Sequence, residues 1–464
     1  MNLRCEPRFA RPELAGHVRA LSERAHAAGG RALLVGGSVR DGLLGQASEE
    51  ADLEVYGLAP EVVERLAGEL GAVHLVGRQF AVLHLSTPGG AIDISLPRRE
   101  SKTGPGHKGF AVSADPHMSV REAARRRDFT VNALLQDPLT GEVLDPWNGL
   151  EDLRRGVLRH VSPAFAEDPL RVLRAARFVS RFGWSVHPDT VALCRSLDLA
   201  ELPMERLEGE WRQILLRGRQ PGAGLAALEE LDALRFFPEV ATLRGVPQDP
   251  EWHPEGDVFV HTCLSLDAGR ALLEQMADPW AEMLGVLCHD LGKPLKTEFE
   301  RGRWRSPEHD EAGVAPARSF LQRITRTDSL IQKVEAFVRD HLRPMQLYQA
   351  REQVSDAAIR RLALRVDIPA LLRVSFADAA GRGVPMRFDE WEPGPWLLQR
   401  AAELNVRDEK PQPFLRGRDL LALGMPPGPA MGELLRAAFE LQLEGSVASR
   451  EQAVQWARAR LSGR

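Results

Sequence analysis

The stretch Leu33-Leu-Val-Gly-Gly-Ser-Val-Arg-Asp-Gly-Leu-Leu-Gly45, followed by Glu50-Ala-Asp-Leu-Glu-Val-Tyr56, decides the fold of the first part of the chain. Its pattern predicts a short buried strand, a glycine turn, a helix and a second strand. Gly36 and Gly37 allow the backbone to turn tightly and to approach a phosphate group closely. The residues after them have helical spacing, so the first amides of that helix can face an anion.

Three acidic residues, Glu50, Asp52 and Glu54, alternate along the second predicted strand. Alternate side chains of a strand point to the same face, so the three carboxylates are expected to lie together. Their repulsion is unfavourable unless a cation joins them. A phosphate-binding turn beside such a cluster indicates metal-assisted phosphoryl or nucleotidyl transfer, whereas a solvated edge strand is the alternative for this segment taken alone.

Composition places the chain among cytoplasmic globular proteins. Its 464 residues suggest roughly three domains. The net charge of −5 means that nucleic acid would have to bind a local basic surface. The four cysteines are scattered, and no apolar run resembles a signal core or reaches membrane-spanning length. We therefore expect a reducing, cytoplasmic setting and no membrane partner.

Periodicity divides the chain into a mixed α/β part and a helical part. Residues 11–30 have helical spacing, and the pattern is almost wholly helical from Leu150 onward. Proline-rich breaks near 247–254 and 385–395 are candidate boundaries. Between Arg31 and about Leu144 the β-like runs are Ala32–Val35, Asp52–Tyr56, Val73–Val76, Ala81–Ser86 and Ala91–Leu96.

A polar segment from Pro97 to Gly109 interrupts the α/β part and is predicted to lack regular structure, because it contains several glycines and prolines. Its arginines and lysines can fold over a polyanionic ligand, and a solvated loop is an equal alternative. A further basic stretch, Arg125-Arg-Arg-Asp-Phe129, precedes an apolar run and places cations at the edge of a packed element.

The segment Glu167-Asp-Pro-Leu-Arg-Val-Leu-Arg-Ala-Ala-Arg-Phe178 carries Asp168 near the same predicted helix face as three arginines. A carboxylate beside a guanidinium offers the acceptor and the donors that a base edge requires. Asp168 before Pro169 is also a good helix N-cap with surface arginines after it, and the segment alone favours that interpretation.

Histidines and aspartates recur on separate predicted helices of the later part of the chain. Imidazole and carboxylate groups are common metal ligands, and several on separate helices favour a metal site over isolated core histidines. The residues are His261, His289, Asp290, His309, His341 and Asp378.

Taken in order, these motifs resemble the class II tRNA nucleotidyltransferases, the CCA-adding enzymes and their poly(A) polymerase relatives of the polymerase-β-like superfamily. The later histidines and aspartates resemble an HD phosphohydrolase domain, as some bacterial CCA-adding enzymes carry. The nucleotidyltransferase motifs are Gly36-Gly-Ser-Val-Arg-Asp41, the acidic strand, Arg126-Arg-Asp-Phe129, Glu167-Asp-Pro-Leu-Arg171 and Met204-Glu-Arg-Leu-Glu-Gly-Glu210.

The resemblance implies an α+β fold, with a polymerase-β-like nucleotidyltransferase head followed by a mostly α-helical remainder. The implied head, including an N-terminal helix, covers residues 1–145. The implied helical neck and body cover 146–248, the HD domain 249–390 and a helical C-terminal tail 391–464.

The resemblance also implies two Mg²⁺ ions at Glu50 and Asp52, with Asp93 as a weaker third catalytic candidate. One ion would activate the 3′-hydroxyl of tRNA and the other would hold the triphosphate of CTP or ATP. The family's first carboxylate is normally aspartate, so Glu50 is a departure, and Glu54 on the same face is a further candidate. The implied nucleotide-binding residues are Gly36, Gly37, Arg40, Asp41, Arg127, Asp128, Asp168, Arg171, Arg174 and Arg206.

Two roles follow from the family pattern for particular segments. Asp168 and Arg171 would act as a protein template that reads the incoming base, and the Pro97 to Gly109 loop would help the switch from CTP to ATP. In the HD domain, His261, His289, Asp290 and Asp378 would bind a divalent metal, Ni²⁺, Mn²⁺ or Mg²⁺, for phosphohydrolase activity.

The expected activity is therefore ATP- and CTP-dependent tRNA nucleotidyl transfer, with a second, HD-type hydrolase activity. A partial enzyme that adds only CC or only A is the first alternative. Poly(A) polymerase is the second, although the C-terminal segment mixes both charge signs. An RNA-binding protein with an inactive head, suggested by Glu50, is the third.

Overall fold

The computed structural model describes residues 3–76, 82–102 and 110–462, and the chain folds into two compact units. The first unit comprises Met1–Leu207 and Ala227–Ala233. The second comprises Glu208–Ala226 and Leu234–Arg464. The finer division into four domains stays a prediction.

A seven-stranded sheet in the order β3-β4-β5-β2-β1-β8-β9 forms the centre of the first unit. The five predicted β-like runs are confirmed as its first five strands. The pairing is antiparallel except between β2 and β5, which run parallel. The strands are β1 (Arg31–Val35), β2 (Ala51–Tyr56), β3 (Ala72–Val76), β4 (Val82–Thr87), β5 (Gly90–Ser95), β8 (Leu135–Gln136) and β9 (Val143–Leu144).

Alternation along β2 and β5 determines which side chains form the core. Leu53 on β2 and Ile92 on β5 are fully buried, as is Leu33 on β1. Asp52, next to Leu53, and Asp93, next to Ile92, point to the opposite face of the sheet. The parallel register places Asp52 directly opposite Asp93, so two carboxylates from distant parts of the sequence lie side by side on neighbouring strands.

The prediction of irregular structure from residue 97 is wrong for Arg98–Lys102. This segment forms β6 and pairs antiparallel with β7 (Phe110–Ala114). The five residues Arg98 to Lys102 contain neither glycine nor proline; after Pro97, these next occur at Gly104 and Pro105. The five residues are therefore free to pair as a strand. Residues 103–109 lie outside the described part of the chain.

Helices surround the sheet and continue the first unit. The predicted N-terminal helix is confirmed as α1, whose Leu14, Val18 and Leu21 are buried. A short parallel pair, β10 (Val157–Leu158) and β11 (Ser185–Val186), joins the later helices. The helices are α1 (Pro12–Ala27), α2 (Gly37–Leu43), α3 (Pro60–Gly68), α4 (Val120–Ala124), α5 (Gly149–Arg155), α6 (Arg171–Phe182) and α7 (Pro188–Arg195).

The second unit is helical, as predicted, apart from one hairpin, β12 (Glu298–Glu300) with β13 (Arg303–Arg305). Helices α8 (Met204–Arg212) and α9 (Pro221–Glu230) include residues of both units, and α8 continues as a π-helical turn, Gln213–Arg217. The remaining helices are α10 (Pro238–Ala241), α11 (Val258–Ala271), α12 (Pro279–Cys288), α13 (Lys293–Lys296), α14 (His309–Ala312), α15 (Val314–Ile324), α16 (Asp328–Asp340), α17 (Arg343–Gln349), α18 (Asp356–Arg365), α19 (Ile368–Ala380), α20 (Pro393–Glu403), α21 (Gly417–Ala422), α22 (Pro429–Glu444) and α23 (Arg450–Ser462).

Three helices that carry the later histidines and aspartates begin at aspartate N-caps. The carboxylates of Asp257, Asp278 and Asp367 accept backbone N–H groups at the starts of α11, α12 and α19. A buried ion pair then joins α12 to α19, because Arg373 donates to both carboxylate oxygens of Glu282 at 2.6 and 3.0 Å. Such a bidentate pair fixes the relative placement of two helices.

No helix within the described ranges is both long and apolar enough to cross a membrane.

Candidate active sites

The glycine turn of the first unit lies against two charged side chains. Gly36 has φ of 72°, a conformation that residues with a Cβ rarely adopt. A Cβ at this position would lie 3.4 Å from Arg127 Nη1 and 3.7 Å from Asp52 Oδ2. The turn, the acidic strand and the basic stretch, which are separate in the sequence, therefore meet at one place.

The carboxylates at this place are Glu50, Asp52 and Asp93. Loss of hydration within the surrounding protein raises the pKa of Asp52. The positive charge of Arg127 lowers it, and the negative charges of Asp93 and Glu50 raise it further. Asp93 Oδ1 lies 2.7 Å from His84 Nδ1 on the neighbouring strand. Desolvation is the largest cause of the raised pKa, and the like charges add to it, so a bound cation would stabilise the ionised carboxylates.

Glu54 does not belong to this cluster, which differs from the sequence expectation. Its carboxylate is buried and accepts a hydrogen bond from Tyr56 Oη at 2.6 Å and one from Arg126 Nη2 at 3.1 Å. Both oxygens therefore have partners inside the unit. Asp93, the weaker sequence candidate, occupies the third position instead, because β5 pairs beside β2.

The donor set fits Mg²⁺, which prefers carboxylate oxygens. Asp52 and Asp93 extend from adjacent paired strands, whereas the exposed Glu50 immediately precedes β2. The longer side chain of glutamate thus sits where the backbone is free of the sheet ladder. This placement gives its carboxylate room to adjust toward an ion that the two aspartates would hold.

Several predicted nucleotide-binding residues form a buried network beside the turn. Asp128 accepts two hydrogen bonds from Arg174, at 2.9 and 2.7 Å, and one from Asn132. Burial alone would raise the pKa of Asp128, but the charge of Arg174 and these hydrogen bonds lower it to about 2. Arg40 is also buried and donates to Asp41 and to Asn132. The network holds α2, the turn after Asp128 and α6 together.

The expectation that Asp168 shares a helix face with the arginines after it is wrong. Helix α6 begins at Arg171, and its N-cap is Leu170. Asp168 lies before the helix, where its Oδ1 accepts the backbone N–H of Leu170 at 3.3 Å. The N–H groups of Arg171 and Val172 donate to the carbonyls of Asp168 and Pro169, three residues earlier, so a 3₁₀-type turn precedes the α-helix and Asp168 is not its N-cap.

Asp168 forms an ion pair with Arg206, not with Arg171. Arg206 Nη2 on α8 lies 2.8 Å from Asp168 Oδ2, and both side chains are about one-third exposed. Arg171 instead donates to the carbonyl oxygens of Ala164 and Arg126, at 2.8 and 2.7 Å. The structure thus pairs Asp168 with Arg206, which was predicted only to bind the nucleotide, and turns Arg171, its predicted base-reading partner, toward the backbone.

The second unit contains a separate cluster of four histidines, and each ring is oriented by a hydrogen bond at its Nδ1 atom. A ring whose Nδ1–H donates to an acceptor presents Nε2 as a lone pair in the neutral form. The Nδ1 partners are Glu255 Oε1 for His261, Val286 O for His289, Ser306 O for His309 and Val338 O for His341, each at 2.7 Å.

The four Nε2 atoms converge on two buried carboxylates. His289 lies 3.1 Å from Asp290 Oδ2, and His261 lies 3.1 Å from Asp378 Oδ1. His309 Nε2 lies 3.3 Å both from Asp290 Oδ1 and from His341 Nε2. When the imidazoles are neutral, their Nε2 lone pairs face carboxylate oxygens and each other and repel them, so a cation at the centre of the cluster would relieve this repulsion.

Orphaned polar atoms at the same place indicate that a divalent metal fits. His289 Nε2 and both carboxylate oxygens of Asp290 are buried without a hydrogen-bond partner of good geometry. Asp290 belongs to two ligand groups, one with His261 and His289 and the other with His309 and His341. The four residues that the HD resemblance implied are thus brought together, and His309 and His341 extend the cluster.

Glu255 is a residue that the sequence did not single out. Its Oε1 accepts hydrogen bonds from His253 Nδ1 at 2.9 Å and from His261 Nδ1 at 2.7 Å. Burial alone would raise the pKa of Glu255, but these two hydrogen bonds hold it at about 2. The short spacing His253-Pro-Glu255 ahead of α11 was the available signal, because it places a carboxylate within reach of the first turn of that helix.

Comparison with known proteins finds relatives of the whole chain and a family model for its first part. The Poly A polymerase head domain family matches residues 32–159. The multifunctional CCA protein of Xanthomonas campestris pv. campestris (strain B100) is 37% identical over 425 residues, which cover 87% of this chain and 96% of the relative. That of Xylella fastidiosa (strain M23) is 38% identical over 373 residues, which cover 76% of this chain and 84% of the relative.

Solved structures share the fold. The CCA-adding enzyme of Bacillus stearothermophilus in complex with CTP aligns with a TM-score of 0.65 at 24% identity, covering 97% of this chain and 98% of that one. The CCA-adding enzyme of Thermotoga maritima complexed with tRNA aligns with a TM-score of 0.58 at 20% identity, covering 97% and 96%. With the level of identity to the curated relatives over nearly their whole length, the chain belongs to the family of multifunctional CCA proteins.

Proposed function

We propose that this protein adds CMP and AMP to the 3′ end of tRNA, using CTP and ATP, in the head formed by its seven-stranded sheet. The observation that carries the proposal is the in-register placement of Asp52 and Asp93 beside the Gly36 turn and Arg127. Membership of the multifunctional CCA family supports the substrates. We propose the cytoplasm as its setting, in keeping with its four free cysteines.

Asp52 and Asp93, assisted by Glu50, would hold Mg²⁺ in the head. When bound, Mg²⁺ supplies Lewis-acid chemistry, which activates a hydroxyl group and neutralises phosphate charge. The Gly36 turn admits a phosphate close to the backbone, and Arg127, beside it, contributes a positive charge to a triphosphate. The buried network of Arg40, Asp128 and Arg174 would act by positioning these groups.

The Asp168–Arg206 pair is the element that we propose for reading the incoming base. A carboxylate and a guanidinium together present an acceptor and several donors, which match the amino group and ring nitrogen of cytosine and of adenine. Both side chains are partly exposed, so they can exchange their mutual ion pair for hydrogen bonds to a base. Arg171 would join them only if it releases the two carbonyls that it now binds.

The decisive experiment offers tRNA lacking its CCA end with CTP alone, and tRNA ending in CC with ATP alone. We expect incorporation into both, because one site that reads an amino-bearing base edge serves both nucleotides. Addition to only the first would identify a CC-adding enzyme, and addition to only the second an A-adding enzyme. Long A tracts on either RNA would identify a poly(A) polymerase, and no incorporation would identify an RNA-binding protein with an inactive head.

Replacing Asp52 by asparagine should abolish nucleotide addition. Asp52→Asn keeps the shape of the side chain but removes the charge that holds the metal, and we expect a loss of rate of about a thousandfold or more. Single-turnover incorporation at millimolar Mg²⁺ measures it. Asp189→Asn, which changes an exposed carboxylate on α7, is the matched control. Near-normal incorporation by Asp52→Asn would refute the assignment.

Replacing Asp168 by alanine should relax base selection more than it slows addition. We expect the preference for CTP and ATP over UTP and GTP to fall by about tenfold or more, because a lost base-edge contact is worth about 1–3 kcal/mol. Asp198→Ala is the matched control, since Asp198 also accepts a backbone N–H two residues onward. A lower melting temperature with unchanged selectivity in Asp168→Ala would show that the residue only supports the turn.

We propose a second activity, hydrolysis of phosphate esters, at the histidine cluster of the second unit. The convergence of four Nε2 atoms on Asp290 and Asp378 favours it. His261, His289, Asp290 and Asp378 would hold a divalent ion, with His309 and His341 as further ligands, and mixed nitrogen and oxygen donors suit Ni²⁺ or Mn²⁺ as well as Mg²⁺. A bound ion supplies Lewis-acid activation of water and of the ester. Glu255 would keep Nε2 of His261 directed at the centre.

Replacing His289 by alanine should separate the two activities. Hydrolysis of adenosine 2′,3′-cyclic phosphate should fall about a hundredfold or more, because a metal ligand is lost, while CMP and AMP addition stays within about twofold. His17→Ala is the control, since His17 Nδ1 likewise contacts a backbone carbonyl at 2.7 Å. Parallel loss of both activities in His289→Ala would assign the cluster a structural role.

A further inference from the structure

A row of polar side chains crosses the sheet of the first unit at the level of the acidic cluster. Asp52 on β2 pairs with Asp93 on β5, and Asp93 pairs in turn with His84 on β4. His84 then pairs with His74 on β3. Residues that pair directly across neighbouring strands point to the same face and come within reach of each other. The row therefore continues beyond the two proposed metal ligands into two imidazole rings.

Of the two rings, that of His84 contacts a carboxylate. Its Nδ1 lies 2.7 Å from Asp93 Oδ1. The Asp93 side chain is 49% exposed, and in the described part of the chain this imidazole is the one group that forms a hydrogen bond or ion pair with it. A half-exposed carboxylate without such a partner would exchange among its staggered conformations. The imidazole therefore selects one orientation of the Asp93 carboxylate.

Core packing fixes the place of the His84 ring. Its neighbours in β4, Leu83 and Leu85, point to the opposite face and are buried, with exposed fractions of 7% and 0%. Both leucines pair with buried isoleucines of β5. A slip of β4 by one residue would turn these leucines to the other face, so the hydrophobic core maintains the register that brings His84 to Asp93.

The hydrogen bond does not depend on the charge of the ring. An ionised carboxylate has only acceptor atoms, so Nδ1 of His84 carries the proton in the neutral ring as well as in the charged one. A protonated ring nitrogen cannot coordinate a metal ion. It can orient a carboxylate that does, and loss of such a donor typically lowers metal affinity about 10- to 100-fold.

We propose that His84 is a positioning residue of the head, which holds Asp93 in the orientation that binds Mg²⁺ together with Asp52. The imidazole acts through the carboxylate, because the nitrogen that faces Asp93 is the one that donates to it. Removal of the ring should therefore weaken the hold on the ion and leave the reacting groups in place. This inference rests on the metal site proposed above for the head.

The test measures how incorporation of CMP from CTP depends on Mg²⁺ concentration in the full-length protein. His84→Ala should raise the Mg²⁺ concentration for half-maximal incorporation about tenfold or more, while the rate at saturating Mg²⁺ stays within about threefold of wild type. His84→Asn places an amide N–H where the Nδ1–H stood and should keep most of the wild-type affinity. His74→Ala removes the next imidazole of the row and should behave as wild type.

Binding of Mn²⁺, followed by the electron paramagnetic resonance of the unbound ion, needs no turnover. The Mn²⁺ that Asp52→Asn no longer binds belongs to the head. At that site His84→Ala should weaken binding about tenfold or more, whereas His84→Asn should not. Asp93→Ala should also weaken it, and addition of His84→Ala to Asp93→Ala should cause no further change, because the two side chains act as one unit.

Three results would overturn the inference, and one of them would overturn the head site as well. If His84→Ala binds Mn²⁺ and uses Mg²⁺ as wild type does, or loses rate equally at every Mg²⁺ concentration, His84 does not position a metal ligand and the head site stands. Rescue by His84→Gln but not by His84→Asn would identify a direct ligand, because glutamine reaches the position of Nε2. If Asp52→Asn loses neither Mn²⁺ nor incorporation, the metal site proposed for the head is itself wrong.

Discussion

Parallel pairing of β2 with β5 holds Asp52 opposite Asp93, and the first unit is arranged around the repulsion between them. A sheet ladder cannot relax by moving one carboxylate, because a shift by one residue would turn every buried side chain of that strand to the other face. Leu53 and Ile92, both fully buried, fix the register. Core packing therefore keeps the two carboxylates opposite each other, and the negative charge of Asp93 adds to desolvation, the larger cause, in raising the pKa of Asp52. A cation bound between the two carboxylates would remove the repulsion that the sheet imposes on them.

The arginines of the head fall into two groups: those that pair with buried carboxylates or backbone carbonyls, and Arg127, which lies at the proposed nucleotide-binding turn. Arg126 neutralises the buried Glu54, Arg174 neutralises the buried Asp128, and Arg171 satisfies two backbone carbonyls. Removing a partner from such a pair leaves an uncompensated buried charge, which is costly. Arg127 lies instead beside the Gly36 turn and Asp52. In this arrangement one arginine is placed where it would bind a ligand, whereas its neighbours stabilise the fold, so substitutions of different arginines should affect different properties.

The local sequence pattern predicted individual strands and helices better than it predicted which of their residues contact each other. The five strands followed from apolar runs between glycines, and the glycine turn followed from its own sequence. Asp93 as the partner of Asp52, and Arg206 as the partner of Asp168, depend on strand order and on helix packing, which no local period encodes. The strand Arg98–Lys102 was missed because the glycines and prolines beyond it dominated the interpretation of the segment. Glu255 lies in a turn, where side-chain direction depends on the helix that follows.

The two sites differ in donor chemistry, and this difference would let one chain support the two reactions proposed for it. The head offers carboxylate oxygens that are partly exposed to solvent. Such a site suits a hard ion that keeps several bound waters and that would arrive and leave together with the nucleotide. The second unit offers four imidazole nitrogens with two carboxylates in a buried setting, which suits an ion that stays with the protein. Each imidazole is oriented by its own Nδ1 acceptor, so the second site is built by four separate helix ends or turns. Because the two donor sets lie in different units and share no residue, a change of ligand in one leaves the coordination chemistry of the other intact.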